Sequence, residues 1–343
     1  MQSLVWEAPR VMTLRQTLTP VLAPGEVLVR VAYVGICGSE LSGYLGHNAL
    51  RVPPLVMGHE FAGTLAALSP EGQERAPHLQ LGQAVTVNPL VSCGACAYCS
   101  SGRQHLCPRR QLIGAHRPGA YAGFVAVPAG QVLPLPSAVS LATGALTEPV
   151  ACGVHIAELA GDVMDEDVLV LGAGPIGLLA LQALRLAGAR RVFVADLNPD
   201  RLAMAADLGA EVIDPRAQDT LAALRHATVQ AGVAVAVDAV GAAVTRSQCI
   251  AATRSGGAVI LSGLHEEVSS LPVADIIRRE IVVRGSFGYT PANFATALAW
   301  LAAGRVRLDP WVVEAPLDEG GAWFERLVAG EGTVAKVLLQ PGA

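Results

Sequence analysis

VLVLGAGPIGLLALQALRLAGARRVFVAD, residues 168–196, carries the pattern that decides the fold. Val168 to Leu171 reads as a buried strand. Gly172, Gly174, Ile176 and Gly177 form a Gly-x-Gly-x-x-Gly turn that opens an Ala/Leu-rich helix, and a second apolar strand ends at Asp196. Glycine at these places permits a tight turn, a close approach of backbone to a pyrophosphate, and tight helix packing, while the helix N-terminal amides face the phosphates. Asp196 stands where a carboxylate accepts hydrogen bonds from the adenosine ribose hydroxyls and repels a 2′-phosphate, which favours NAD over NADP. Arg201, one turn further on, is either a cofactor residue over the adenine or a solvated helix charge.

Outward from this unit, strand-like and helical runs alternate: PDRLAMAADLG, VAVAVDAVG and AVILSGL continue the series. Such alternation predicts a parallel, doubly wound sheet. Toward the N-terminus the texture differs. VLVRVAYVGIC, FAGTLAALS, QAVTVNP and GFVAVPAGQVLPLP are β-rich runs bounded by Gly or Pro with little helical periodicity. They predict an antiparallel, barrel-like domain with long loops. Periodicity alone does not assign the tail that follows Ser286.

The totals fit a two-domain α/β enzyme. A chain of 343 residues exceeds one ordinary core, and 52% hydrophobic against 15% charged residues excludes a disordered chain. The net charge of −5, with scattered basic residues, offers no footprint for nucleic acid. The apolar segment from Val168 to Leu184 falls short of the roughly 20 residues that span a bilayer. The N-terminus lacks the pattern of a signal peptide, so a cytoplasmic location is expected. Lys336 is the sole lysine, a bias that reads as genome composition.

Two groups of residues suggest metal. Cys93, Cys96, Cys99 and Cys107 are spaced C-x2-C-x2-C-x7-C in a loop-like segment. Four thiolates at this spacing can surround one tetrahedral zinc, closed to substrate, and so staple a loop that has no core of its own, the alternative being an accidental cluster or a redox pair. This zinc should be structural. In GICGSELSGYLGHNALRVPPLVMGHEFAG, residues 35–63, Cys37, His59 and Glu60 are each possible ligands for a borderline metal. Cys152 and Cys249 have no partner pattern and read as buried small residues.

GICGSE, VMGHEFAG, the four-cysteine lobe, LTEPVACGVH and VLGAGPIG occur in this order. Together they resemble the zinc-dependent medium-chain dehydrogenase/reductase family, the alcohol dehydrogenase superfamily, over essentially the whole chain. The Glu148–Pro149 pair and the length are most similar to its sorbitol/polyol dehydrogenase branch. The resemblance implies a GroES-like antiparallel β-barrel catalytic domain at 1–150 and 289–343 and a Rossmann NAD-binding domain at 151–288. It implies two zincs per chain, the catalytic one held by Cys37 and His59 with Glu60 and Glu148 completing or alternating in the sphere. A helix-capping role is the alternative for Glu148. Ser39 matches the hydroxyl that passes the alcohol proton toward the cofactor ribose. Ser262, Gly263 and Leu264, with Ser286, Phe287 and Gly288, match the nicotinamide side, and Tyr289 matches a substrate-side tyrosine.

Departures from the family bear on the chemistry. Glu40 stands where Asp is usual, and Ser42 replaces a His that ends the proton relay in many relatives; His47 is a candidate substitute. Gly288 replaces an arginine of sorbitol dehydrogenase, which weakens the transfer of sorbitol itself as substrate. The expected activity is zinc-dependent hydride transfer between NAD and a polyol or related secondary alcohol, in a homodimer or homotetramer. A phosphorylated polyol or an amino alcohol such as threonine is the alternative, with Arg51, Arg110, His116 and Arg117 as candidates to meet an anion. A non-catalytic nucleotide-binding protein on the same fold is the reading from a different class. It has no use for Cys37, His59 and Glu148 together.

Overall fold

A computed structural model describes residues 1–307, 311–330 and 334–342 of the chain. Within the predicted tail at 289–343, residues 308–310, 331–333 and 343 lie outside the described residues. The chain divides into two compact units, Met1–Glu148 with Thr290–Ala343, and Pro149–Tyr289.

The first unit is built on a seven-stranded sheet. Its path runs through Val132–Pro134, Ala84–Val87, Glu60–Leu68, Glu26–Gly35, Lys336–Gln340 and Val312–Pro316, with Phe124–Pro128 also pairing along Glu26–Gly35. Every ladder is antiparallel except that between Val312–Pro316 and Lys336–Gln340, which is parallel. No pairing joins the two end strands among the described residues. The strand from the tail enters beside the strand that leads to Cys37, with Leu338 opposite Gly35. This register places Lys336 near the start of the Cys37 loop.

Alternation explains the sheet. In Glu26–Gly35 the residues Val27, Val29, Val31 and Val34 are buried in one core with Phe61, Val85, Tyr121, Val125 and Phe324. Val27, Val29 and Val31 alternate, and Val34 joins the same core after a register shift between Val31 and Tyr33; β-branched side chains so placed suit a pleated surface, and each such burial contributes roughly 1.5–3 kcal/mol.

The second unit holds a six-stranded, wholly parallel sheet. Its order is Glu211–Ile213, Arg191–Ala195, Asp167–Leu171, Val233–Asp238, Thr253–Leu261, Val282–Gly285. This is the doubly wound order 3-2-1-4-5-6, with its switch point beside Asp167–Leu171. The central strands read DVLVL and VAVAVD and are buried throughout, as a sheet covered on both faces requires. Among the described residues no helix is long and apolar enough to cross a membrane.

Candidate active site

Strand Glu26–Gly35 ends in a turn at Ile36 and Cys37, and Cys37 caps the short helix Gly38–Tyr44. Strand Glu60–Leu68 begins immediately after His59. Gly35 pairs with Glu60 across the ladder, so the end of one strand and the start of the next bring Cys37, His59 and Glu60 together. One ligand atom from each lies within 4.8 Å of the others. His59 and Glu60 are 4% and 1% exposed. A thiolate, an imidazole and a carboxylate converging in a buried setting form a donor set that fits zinc.

The shell behind these ligands is specific. Glu40, fully buried, receives the Gly58 amide at 2.8 Å and His59 Nδ1 at 2.7 Å on Oε1. Its Oε2 accepts from the Cys37 amide at 3.1 Å and from the Tyr121 hydroxyl. Burial alone would raise the Glu40 pKa, yet the charge and hydrogen bond of His59, with Arg51 and Tyr121 beside it, lower it to about 2. An ionised carboxylate only accepts, so Nδ1 carries the proton and Nε2 is left to a metal. Burial would lower the His59 pKa, but Glu40 and Cys37 outweigh it and push it well up.

Glu60 is held differently. Lys336 Nζ lies 2.7 Å from both its carboxylate oxygens and 3.2 Å from the Ile36 carbonyl. Lys336 is 3% exposed. Burial would depress its pKa, but Glu60 and then Cys37 raise it, so the ammonium stays charged. The sole lysine is therefore a site residue, contrary to its reading as composition. Glu148, in the first turn of helix Thr147–Ala160, is 8% exposed and lies outside the three-ligand cluster, although its charge acts on Lys336.

Ser39 donates to Cys37 Sγ at 3.4 Å. Arg51, 4% exposed, donates to the Ser39 hydroxyl at 3.2 Å and to its carbonyl at 3.1 Å. Gly43 makes room for it, since a Cβ there would sit 2.7 Å from Arg51 Cδ. Arg117 is bound to Glu26 and to the Ala126 carbonyl, and His116 Nδ1 accepts the Leu112 amide. Arg51 and Arg117 thus each spend donors on groups of the chain itself. His47 is exposed, and its amide donates to the Ser42 carbonyl.

The cysteine lobe is separately organised. Cys93, Cys96, Cys99 and Cys107 converge within 4.8 Å, with Cys99 and Cys107 buried. None forms a disulfide. Hydrogen bonds from the Ala95 amide, Cys107 and Arg109 lower the Cys93 pKa to about 5. A thiol held toward thiolate in a closed set of four matches a structural zinc.

In the second unit Gly172 adopts φ +96°, and its amide donates to the Ala195 carbonyl at 2.8 Å. A Cβ on Gly177 would lie 1.8 Å from the Gly172 carbonyl oxygen, so only glycine lets the helix close on the turn. At Gly174, the N-cap of helix Pro175–Leu186, a Cβ would meet nothing within 4 Å. That open space above helix N-terminal amides fits a pyrophosphate. Ile176 follows in the first turn of this helix. Asp196 accepts the Ala173 amide at 2.7 Å and the Asn198 amide at 2.8 Å, which ties the end of the second strand to the glycine turn. Arg201 begins the neighbouring helix, its amide 3.2 Å from Asn198 Oδ1. Ser262 and Gly263 donate their amides to the Asp238 carbonyl at 2.9 Å, Leu264 is exposed, and Ser286 donates to the Leu261 carbonyl at 2.8 Å. Phe287 is half exposed, Gly288 has φ +55°, and Tyr289 is buried.

Comparison with known proteins agrees with this geometry. Residues 23–137 match the alcohol dehydrogenase GroES-like domain and residues 175–303 the zinc-binding dehydrogenase domain. L-idonate 5-dehydrogenase of Vitis vinifera is 34% identical over 86% of this chain and 82% of its own length. Sorbitol dehydrogenase of Arabidopsis thaliana is 34% identical over the same shares. A Sinorhizobium meliloti 1021 protein solved bound to NADP superposes with a TM-score of 0.91 at 31% identity, covering 99% of each chain. The chain belongs to the zinc-dependent medium-chain dehydrogenase/reductase family, in its polyol dehydrogenase branch.

Proposed function

We propose that the protein oxidises a polyol, or a related secondary alcohol such as a sugar acid, to the ketone, reversibly, with NAD as hydride acceptor. The observation that carries this is the buried convergence of Cys37, His59 and Glu60 in a chain that also presents the Gly172–Gly177 turn. Cys37, His59 and Glu60 would hold a catalytic zinc, with Glu148 as an alternative or additional ligand, and Cys93, Cys96, Cys99 and Cys107 would hold a structural one. A catalytic zinc lowers the pKa of a bound alcohol and so favours loss of its proton before hydride transfer.

The chain's own residues do the rest. Glu40 fixes the imidazole of His59 through Nδ1. Lys336 holds Glu60 in place through both carboxylate oxygens. Ser39 is the first group to receive the alcohol proton. With Ser42 unable to replace the relay histidine and His47 exposed, the proton leaves through water. Gly172, Gly174, Ile176 and Gly177 receive the pyrophosphate. Asp196 and Arg201 meet the adenosine, Ser262–Leu264 and Ser286–Gly288 the nicotinamide, and Tyr289 the substrate.

Preference for NAD is supported by Asp196, whose carboxylate is pinned at the end of its strand by two backbone amides. A 2′-phosphate there would meet a fixed negative charge. Since a structural relative binds NADP, the preference needs its own measurement. Polyols, sugar acids, polyol phosphates and threonine, each assayed with NAD and with NADP, test the reading. The expected outcome is activity with NAD on unphosphorylated polyols or sugar acids, and activity confined to phosphates or to threonine would contradict it. Cysteines read as zinc thiolates accord with a cytoplasmic location, and the family resemblance supports a homodimer or homotetramer.

A further inference from the structure

Strands Val233–Asp238 and Thr253–Leu261 both end in turns that touch backbone to backbone. Gly241 has φ +88°, and a Cβ on it would lie 2.2 Å from the Gly263 carbonyl carbon. A Cβ on Gly263 would lie 2.2 Å from the Gly241 nitrogen. Asp238, fully buried, stitches the two turns from within. Its Oδ1 accepts the Val240 and Gly241 amides at 3.0 and 2.9 Å, and its carbonyl accepts those of Ser262 and Gly263.

Arg246 closes the arrangement from outside. It lies on helix Ala243–Ala252, is 9% exposed, and sets Nε 3.7 Å from Asp238 Oδ2. It donates to the Glu266 carbonyl at 2.7 Å, to the Gly263 carbonyl at 3.4 Å, and to the Ser269 hydroxyl. Glu266 answers from the loop: its carboxylate accepts the Ala243 amide at 3.0 Å at the start of the same helix. Its own amide donates to the Gly241 carbonyl at 2.8 Å.

Burying a guanidinium carries a desolvation cost that apolar anchoring would avoid. The loop at 262–269 has little apolar burial of its own, with Leu264 and Val268 85% and 84% exposed. Segments with few buried apolar contacts open locally at low free energy. Polar anchoring holds this one, with Arg246 adding its bonds to those of Asp238 and Glu266.

We propose that Arg246 is a positioning residue for the cofactor: it fixes the Ser262–Leu264 turn and thereby sets affinity for the nicotinamide half of the dinucleotide without touching it. The inference rests on the reading above that this turn faces the nicotinamide. The turn lies at the carboxyl ends of the strands, where ligands bind doubly wound sheets.

The test compares NADH with ADP-ribose, which lacks the nicotinamide, by calorimetry on the zinc-loaded full chain. The variants are Arg246→Gln, Arg246→Lys and Gly263→Ala. Arg246→Gln is expected to lose about tenfold in NADH affinity, a change of ~1.4 kcal/mol, with ADP-ribose unaffected. Arg246→Lys, which keeps a charge beside Asp238, should show a smaller loss of the same selectivity and serves if the glutamine variant does not fold. Gly263→Ala, whose Cβ forces the two turns apart, should show the selective loss at least as strongly. Selective loss in Gly263→Ala with none, or an equal loss of both ligands, in the Arg246 variants overturns the role of Arg246 and leaves the turn at the nicotinamide. No selective loss in Gly263→Ala overturns both.

Discussion

His59 Nδ1 lies 2.7 Å from Glu40 Oε1, an oxygen that also accepts the Gly58 amide at 2.8 Å. The imidazole is thereby oriented by a residue whose own position is set by backbone. Glu40→Ala should reduce affinity for the catalytic zinc by roughly 10–100-fold, as loss of a carboxylate behind a histidine ligand typically does. The structural site should stay loaded. Chelator competition with metal counted per chain checks this, and simultaneous loss of both metals would contradict it.

The same carboxylate makes stability depend on pH. Its pKa in the folded chain is lowered from 4.5 to about 2. The stabilisation is therefore present above about pH 4.5 and is lost as pH falls toward 2, the unfolded chain binding the proton first. On the metal-free protein, urea unfolding of Glu40→Gln should lack an acid-dependent component of about 3 kcal/mol that the parent shows across this window. Parallel pH profiles would count against the assignment.

Lys336 and Glu60 form a buried ion pair at 2.7 Å. In the metal-free protein, Lys336→Met leaves the Glu60 carboxylate without a counter-ion in the core and should cost about 3–5 kcal/mol, whereas Lys336→Met combined with Glu60→Gln should recover a large part. Thermal or chemical unfolding of the three proteins provides the comparison. An additive double variant would show that the two groups do not act as a pair.

The four-cysteine lobe has a narrower role. Cys107→Ser should lower metal content by one zinc per chain and open residues 93–107 to protease, while dinucleotide binding by the parallel-sheet unit is retained. Loss of dinucleotide binding at the same time would mean that the lobe does more than staple its own loop.

Local features were the legible ones. Gly172, Gly174, Gly177 and Asp196, and equally the cysteine quartet, act through spacing within a short stretch, so their geometry is implicit in the chain order. Cys37 and His59 required the family pattern, because only a strand pairing such as Gly35 with Glu60 brings them together. Lys336 was not legible as a site residue. It reaches Glu60 across a sequence separation of 276 residues, through a tail whose domain periodicity does not assign. Its one available signal was a lone lysine opening the largely apolar strand Lys336–Gln340. Tyr121 and Arg246 were likewise invisible: each acts on groups brought to it by the sheet, and neither belongs to a motif. Arg51, a candidate to meet an anion, donates to Ser39 in the space that Gly43 opens beside it, a contact no motif announces.

The most direct measurement of the central claim counts zinc and follows NADH formation on one preparation, comparing the parent with Cys37→Ser. The account predicts two zincs per chain and polyol-dependent NADH formation in the parent. In Cys37→Ser it predicts one zinc per chain and a loss of activity of about a thousandfold or more, equivalent to ~4 kcal/mol of barrier. Two retained zincs, or activity close to that of the parent, would contradict it.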